Sequence, residues 1–280
     1  MPSALRFRIY PSRDQEARML RTLEACRHLW NDALSHRGDR WQNKRRSTSY
    51  NYQQWILTAE RRADPELGAL YSQVAQHVLR RLDRAFRPFF EHRAGYPRFK
   101  KFPQSRSFTY PQCYNGSVKP DALRGRLFLS KVGNVKAIFH RPLPKDARLK
   151  TCAVVREPCG EWYASLVYEE VVPLQNVSPP GLTIVLHPSS NDSLPPVGVD
   201  LGLKSLVTMS DGTRVEHPKY LRNAERRLKR LQRVFSRKKK GSNNWFKARQ
   251  RVASQHARVR RRRADFNHKL STCLVKAHSL

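Results

Sequence analysis

Hydrophobic and polar positions change period several times along the chain, and each change predicts a different element. Leu5-Arg-Phe-Arg-Ile9 alternates strictly, which predicts a strand with Leu5, Phe7 and Ile9 on one face. Tyr10-Pro11-Ser12 stops it. Ser12 and Gln15 have the spacing of a capping box, and Met19, Leu23, Cys26, Trp30 and Ala33 then recur at threes and fours, the buried stripe of a helix. Trp41 to Asn51 is polar and basic, which predicts a loop or a nucleic-acid surface. A second helical stripe runs Leu67, Leu70, Val74, Val78, Leu82, Ala85, Phe89, and Pro88 is expected to kink or end it.

The texture then changes. Gly95-Tyr-Pro-Arg-Phe-Lys-Lys-Phe-Pro103 interleaves aromatic rings with cations. Short strand-like segments follow at Ser107–Tyr110, Arg126–Ser130, Val135–His140, Thr151–Arg156 and Glu161–Tyr168. Turn signals such as Gly133-Asn134 and Pro158-Cys-Gly160 separate them, the mark of a small antiparallel sheet or barrel. Pro179 to Pro196 is rich in Pro and Ser and reads as a linker or exposed insertion, with a domain boundary near Val197. Val197-Gly-Val-Asp-Leu then reads as a short buried strand ending in an acid, Ser205–Met209 as a second strand, and Asp211-Gly212 as a hairpin turn. Beyond it, Leu221, Leu228, Leu231 and Phe235 mark one apolar seam, interrupted at Lys240-Gly-Ser-Asn-Asn244. Trp245, Val252, Val259, Phe266 and Cys273 repeat every seven, so the expectation is a helical hairpin with a coiled-coil-like seam.

Charge changes this picture more than any other property. In 280 residues, 55 Lys and Arg stand against 22 Asp and Glu, a net charge of +33. Such an excess repels itself unless a polyanion neutralises it. Nucleic acid is the leading partner and an acidic membrane surface a distant second. The aromatic content of 10% argues against a disordered basic tail. Met1 to Arg13 lacks the apolar core of a secretion signal, and apolar runs such as Ile184-Val185-Leu186 are far too short to span a bilayer. The five cysteines (Cys26, Cys113, Cys152, Cys159, Cys273) are scattered and form no Cys-x-x-Cys pair. They are expected to be reduced in a cytoplasmic protein held at the nucleoid by nucleic acid.

Three constellations could carry chemistry. Between Leu221 and Arg263, eighteen Lys and Arg face a single acid, Glu225. Basic helices are often merely solvated faces. Here the density favours a phosphate-tracking surface built from Arg226, Arg230, Arg233, Arg237, Lys238, Lys239, Lys240, Lys247, Arg260, Arg261, Arg262 and Arg263. In the 95–103 segment, Tyr96, Phe99 and Phe102 could stack on bases while Arg98, Lys100 and Lys101 hold phosphates. A Pro-punctuated loop that packs its rings into the core explains the same residues equally well. Asp200, at the end of an apolar strand, suits a metal ligand held on a rigid element. A turn-capping Asp is the commoner explanation for an acid flanked by glycines. The later acids Asp211, Glu216, Glu225 and Asp265 do not converge with it convincingly.

Taken together, these residues resemble a known family. Val197-Gly-Val-Asp-Leu-Gly-Leu-Lys-Ser-Leu-Val-Thr-Met-Ser-Asp-Gly212 resembles the first RuvC motif of TnpB, the transposon-encoded OrfB proteins related to type V CRISPR effectors. Phe7-Arg-Ile-Tyr-Pro11 followed by Cys26-Arg-His-Leu-Trp-Asn-Asp-Ala-Leu34 resembles the family's N-terminal segment, and Tyr96-Pro-Arg-Phe-Lys100 its basic-aromatic junction. Val132-Gly-Asn-Val-Lys136 and Gly160-Glu-Trp-Tyr-Ala-Ser-Leu-Val-Tyr168 are similar to its barrel strands. Lys240-Gly-Ser-Asn-Asn-Trp245 and Asp265-Phe-Asn-His-Lys-Leu-Ser271 are similar to its helical hairpin. The resemblance runs nearly end to end and in order.

It implies an α+β protein: a wedge-like β-barrel (1–12 and 103–178) interrupted by a helical recognition segment (13–102), then a linker (179–196). An incomplete RNase H-like RuvC α/β domain (197–280) with a long basic helical hairpin would follow. It also implies partners: a guide RNA from the transposon end and a double-stranded DNA target, with base pairing carrying specificity and the protein contacting backbone and shape. Asp200 would be the first of three carboxylates on a two-Mg²⁺ site. The family's second acidic motif is expected just after the hairpin, where the chain stops at Ala277-His-Ser-Leu280, with its third motif and zinc ribbon later still. The expectation is therefore a C-terminally truncated member, its Mg site incomplete and its zinc ribbon absent, that binds nucleic acid without cutting it. Two alternatives stand beside it: a fragment or interrupted product of an active endonuclease, and a nuclease-dead RNA-guided repressor or RNA-binding protein.

Overall fold

The computed structural model describes residues 3–101, 105–144, 147–170 and 197–277. Phe102, Pro103, the 179–196 segment and the last three residues, about which the sequence raises expectations, lie outside the described residues. The chain divides into two units, Met1–Pro173 and Leu174–Leu280.

In the first unit, strand β1 (Ser3–Tyr10) buries Phe7 and Ile9 and packs Leu5 against the same core, as its alternation predicts. Helix α1 (Arg13–Lys44) starts at a complete capping box: Ser12 Oγ accepts from Gln15 N–H, and the Gln15 side chain accepts from Ser12 N–H. The Gln15 amide also donates to Asn134 O at 2.8 Å, which ties the start of the helix to the sheet. Met19, Leu23, Cys26, Trp30 and Ala33 are all buried along one side. The helix runs on through Trp41 to Lys44, so the loop expected from Trp41 to Asn51 shrinks to residues 45–49. Its Trp, Gln, Asn and Lys residues tolerate helix, and Arg45 in the left-handed region (φ 50°) ends it.

Helix α2 (Tyr50–Ala63) carries no apolar stripe in the sequence because half of what it buries is polar. Gln53 sits in the core, donating to Ala33 O and accepting from Arg37 Nε at 2.7 Å. Arg37 then reaches Asp83 and lies over the Phe86 ring, so one buried guanidinium ties three helices together. The second predicted stripe is split between α3 (Pro65–Ala69) and α4 (Ser72–Phe90). Pro88 is inside α4, and the helix ends two residues later.

The strands form one antiparallel sheet: β2 (Ser107–Tyr110), β3 (Val118–Asp121), β4 (Arg126–Leu129), β5 (Gly133–Ile138), β6 (Ala147–Arg156) and β7 (Trp162–Glu170) join β1. The order is β2-β6-β7-β1-β5-β4-β3. Strand β3, invisible in the sequence pattern, contains Pro120 and lies at the sheet edge, where a missing N–H is tolerated. The Gly133-Asn134 turn signal marks the start of β5 rather than the turn itself, which centres on Ser130 and Lys131. In a flat sheet β2 and β4 would lie about 24 Å apart at about 4.8 Å per strand. Yet Tyr110 Oη, from the last residue of β2, donates to Ser130 O just past β4 at 2.8 Å. The sheet is therefore curled into a nearly closed barrel. Its lining (Phe108, Leu127, Leu129, Val135, Cys152, Val154, Ala164, Leu166) is continuous with the buried faces of α1 and α4.

The second unit holds a three-stranded antiparallel sheet in the order β10-β9-β8, from β8 (Val199–Asp200), β9 (Ser205–Met209) and β10 (Arg214–Glu216). The expected Asp211-Gly212 hairpin is present: Gly212 has φ 88°, and Asp211 Oδ1 accepts from Thr213 N–H. Strand β8 is not buried, contrary to the expectation from its apolar run. Both its residues are exposed, and Leu201 and Leu203 beside it are 74% and 98% exposed, because a two-residue strand at a sheet edge has a neighbour on one side only. Helices α5 (Tyr220–Ser236) and α6 (Asn243–Ala277) form the predicted hairpin. Phe235 meets Trp245 near the turn, and Tyr220 meets Phe266 at the other end. With 35 residues against 17, α6 outruns its partner. Cys273, seven residues past Phe266, is therefore exposed rather than part of the seam.

Candidate nucleic-acid interface

Leu228, Ala248 and Val259 are buried where α5 and α6 pack, and every cation nearby is placed by its angle from that seam. Successive helical residues are about 100° apart. Arg226, Arg230 and Arg233 thus fall on the outer, exposed face of α5, away from α6. Arg237, Lys238, Lys239 and Lys240 crown the turn, all exposed. Lys247 is different: it lines a groove between the helices of about 440 Å³, with Arg251, Ser254 and Arg258 on the α6 side and Arg227 and Leu231 on the α5 side. The buried side chain of Gln255 forms part of its wall, and among the described residues no acid lines it.

Arg260, Arg261, Arg262 and Arg263 do not make one surface. As consecutive residues of α6 they radiate to all sides of the helix. Arg263 belongs to a second cavity of about 470 Å³, with Arg222, Lys219, His217 and Asn267 in its wall. His217 Nε2–H donates to Gly202 O at 2.9 Å, which anchors the turn after β8.

The hairpin's two acids are Glu225 and Asp265. Lys229 and Lys269, each four residues further on, bond them at 2.8 and 2.9 Å. The Lys229 hydrogen bond holds the Glu225 carboxyl below its usual range, and Asp265 likewise raises Lys269. Lysines thus serve the acids, while the groove keeps three arginines and Lys247 facing a concave surface with no counter-charge among the described residues of its lining.

The basic-aromatic loop has another role. Asn31 grips the Lys100 backbone twice, accepting from its N–H at 2.8 Å and donating to its carbonyl at 3.1 Å. Trp30 Nε1–H donates to Arg98 O. The Lys100 ammonium sits 3.4 Å from the centroid of the Trp30 ring. Burial, and then the nearby Arg81, lower the Lys100 pKa to about 8. Tyr96 packs edge-on against Phe86 and Phe89. Of the residues expected to touch nucleic acid here, Arg98, Phe99 and Lys101 are exposed and Lys100 is held inward. Packing claims Lys100, Tyr96 keeps 46% of its surface exposed beside its ring contacts, and the loop's backbone clasps α1.

Asp200 pairs with Thr208 of β9 and is exposed. Among the described residues, no three His, Cys, Asp or Glu side chains come together. One carboxylate offers a hard divalent cation two oxygens of the six or more it takes. The described residues therefore do not fit a two-Mg²⁺ centre. They do not fit zinc either, since no three of their His, Cys, Asp or Glu side chains converge; burial pushes the Cys26 and Cys113 thiols up to about 12, and Cys152 upward too.

A family model described as "Probable transposase", the OrfB model, matches residues 181–280, and an OrfB helix-turn-helix model matches residues 1–46. A Streptomyces pristinaespiralis protein, provisionally named RNA-guided DNA endonuclease, is 38% identical over 278 residues, covering 98% of this chain and 64% of that protein. The chain belongs to the OrfB (TnpB) family. A second OrfB relative, the Escherichia coli protein InsQ under the same provisional name, is 33% identical over 279 residues, covering 99% and 64%. The chain thus spans 64% of the length of each of these relatives. A solved Cas12f1–sgRNA–target DNA complex aligns at 12% identity with a TM-score of 0.36, over 97% of this chain and 68% of that one. Of the residues matched by the helix-turn-helix model, 3–10 fold here as β1 and 13–44 as the long helix α1. Among the described residues, no helix of this OrfB chain is long and apolar enough to cross a membrane.

Sequence reasoning missed Arg227, Arg251 and Arg258. The signal was available: Lys247, Arg251, Ser254 and Arg258 are spaced four, three and four, the interval that marks an apolar stripe, here written in cations and a hydroxyl.

Proposed function

We propose that this OrfB-family chain binds nucleic acid along the α5–α6 hairpin. Its partners would be a guide RNA from the transposon end and a double-stranded DNA target. The observation that carries this reading is the groove lined by Arg227, Lys247, Arg251 and Arg258, with no acid among the described residues of its wall. Phosphates that neutralise such a row release condensed counterions, so binding tracks the backbone and weakens steeply with salt. The names of the two relatives support RNA-guided DNA recognition. In this reading the first unit is a wedge-like barrel with an inserted helical recognition segment. The second is the N-terminal part of a RuvC-like nuclease domain. Boundaries near residues 12, 103 and 178 follow from the family resemblance, and the one near 197 also from the Pro- and Ser-rich texture before it.

Asp200 would be one carboxylate of that nuclease domain, binding Mg²⁺ only with further ligands that the described residues do not supply. The 280-residue chain is accordingly proposed to bind without cutting. The test is electrophoretic mobility shift with structured RNA at several salt concentrations, beside a Mg²⁺ cleavage assay. Arg251→Glu with Arg258→Glu should weaken binding at least about 50-fold and flatten the log–log salt slope by about two. Unchanged binding would overturn the hairpin assignment. Guide-directed cleavage abolished by Asp200→Ala would overturn the non-cutting one.

A further inference from the structure

Away from the hairpin, the first unit carries an exposed ring stack that none of the roles above uses. The imidazole of His36 on α1 lies 6.0 Å from the Tyr52 ring of α2, at 22° between planes. Tyr52 lies 6.1 Å from Trp55, at 29°. The Arg40 guanidinium sits over the Tyr52 ring, 4.1 Å from its centroid. Three rings and a guanidinium thus cluster around Tyr52, with the His36 and Trp55 rings each tilted less than 30° from it and offset to its side. Trp55, at its end, is 70% exposed. Packing of α2 against the core does not need it: Gln53 and Leu57 are the residues buried there, and Trp55 lies on the other side of the helix.

The surroundings say what kind of molecule would cover this face. From His36 to Arg62 the chain has seven Arg and Lys against Asp39 and Glu60. Arg37 is bound within the core, and Arg61 donates to the carbonyls of Leu67, Gly68 and Leu70. Lys44, Arg45, Arg46 and Arg62, near the ring residues in sequence, are exposed. A protein partner with an apolar patch would bury these cations at a cost. A polyanion made of flat rings matches both features.

We infer that His36, Tyr52 and Trp55 form a stacking platform for unpaired nucleobases, with Trp55 offering the outer face and the 44–46 cations holding the adjoining phosphates. The site takes a single-stranded or looped-out segment, because paired bases in a duplex expose edges and not faces. Its ligand class follows the nucleic-acid reading of the protein, but its residues lie in the other structural unit from the hairpin and are tested separately.

The test compares the full chain's affinity for an oligothymidine of about twelve nucleotides with that for an abasic oligonucleotide of equal length. Salt is raised until backbone contacts weaken. The native chain should prefer the base-bearing strand. Trp55→Ala should lower its affinity about tenfold and leave abasic binding unchanged, whereas Trp55→Phe should restore most of the difference. Photocrosslinking with 5-iodouracil should place an adduct in the tryptic peptide Ser47–Arg61. Equal affinity for the two strands, an unaffected Trp55→Ala variant, or adducts confined to the hairpin would each overturn the platform. Retained abasic binding would leave the hairpin reading standing while the platform fails. Loss of all binding at low salt would remove both. A protein captured through Trp55 in place of the oligonucleotide would reassign the face to a protein interface.

Discussion

The loop at residues 95–101 and the α5–α6 hairpin are both rich in cations set among aromatic rings, and the fold uses them in opposite ways. In the loop the backbone is the functional part: Asn31, Trp30 and Arg27 bond to the carbonyls or N–H of Arg98 and Lys100, and the Lys100 ammonium turns in over an indole. In the hairpin the helices satisfy their own backbone, so the side chains of Arg227, Lys247, Arg251 and Arg258 are left to line a groove. Cation density alone does not separate the two cases. What separates them is whether the segment must borrow hydrogen bonds from a neighbour, because a loop with unsatisfied amides gains more from docking than from waiting for a ligand.

The sharpest way to break this contrast is to reverse charge in each place. Arg227→Glu, Arg251→Glu and Arg258→Glu together should reduce RNA affinity by more than about 100-fold in filter binding, with the salt slope falling by nearly three. Lys100→Glu should unfold part of the first unit before it changes binding. An equal binding loss from both variants, with folding intact, would abolish the distinction.

Next in size is the seam. Leu228→Ala leaves a cavity between α5 and α6 and should destabilise the second unit by about 2–3 kcal/mol in denaturant unfolding. It should blunt the groove only as far as the helices separate. Smaller still, Asn31→Ala removes two bonds to the Lys100 backbone and should cost about 1–2 kcal/mol of the first unit's stability, read by thermal melting. RNA affinity should change less than about threefold, which corresponds to no more than about 0.65 kcal/mol.

A separate readout is pH dependence. Burial first, then Arg81, Arg84 and Arg80, lower the His77 pKa to about 4. The unfolded chain therefore takes up a proton at His77 near pH 6.5, before the folded one does. The stability linked to neutral His77 is fully present above pH 6.5 and is lost as pH falls through about 4. His77→Gln should flatten the acid limb of an unfolding profile in that window. Lys100, lowered to about 8, has the same sign at higher pH, its linked stability complete only above the ordinary lysine range. A hairpin substitution should move neither limb.

Several elements could be read directly because one physical signal dominated locally. The capping box at Ser12, the stripe from Met19 to Ala33 and the Asp211-Gly212 turn are each decided by neighbours within a few residues. Others could not, because their stabilising partners are distant in sequence. Helix α2 buries Gln53, which becomes acceptable only when Arg37 and Ala33 O are beside it. Strand β3 tolerates Pro120 only because it ends the sheet. Asp200 was legible as a candidate ligand, but how many acids share its surroundings is set by which strands stand side by side.

By itself, then, the sequence pointed to a polyanion as the partner to test and determined the family and the existence of a basic hairpin, since charge and ordered motifs are additive along a chain. Only the tertiary structure decided which cations work together. Angle around a helix and position beside a partner helix sent Arg226 outward and Arg227 into the groove, although they are adjacent in the chain. The same packing turned Lys100 inward over Trp30 and left Trp55 open to solvent, because a side chain's role depends on what the fold puts against it.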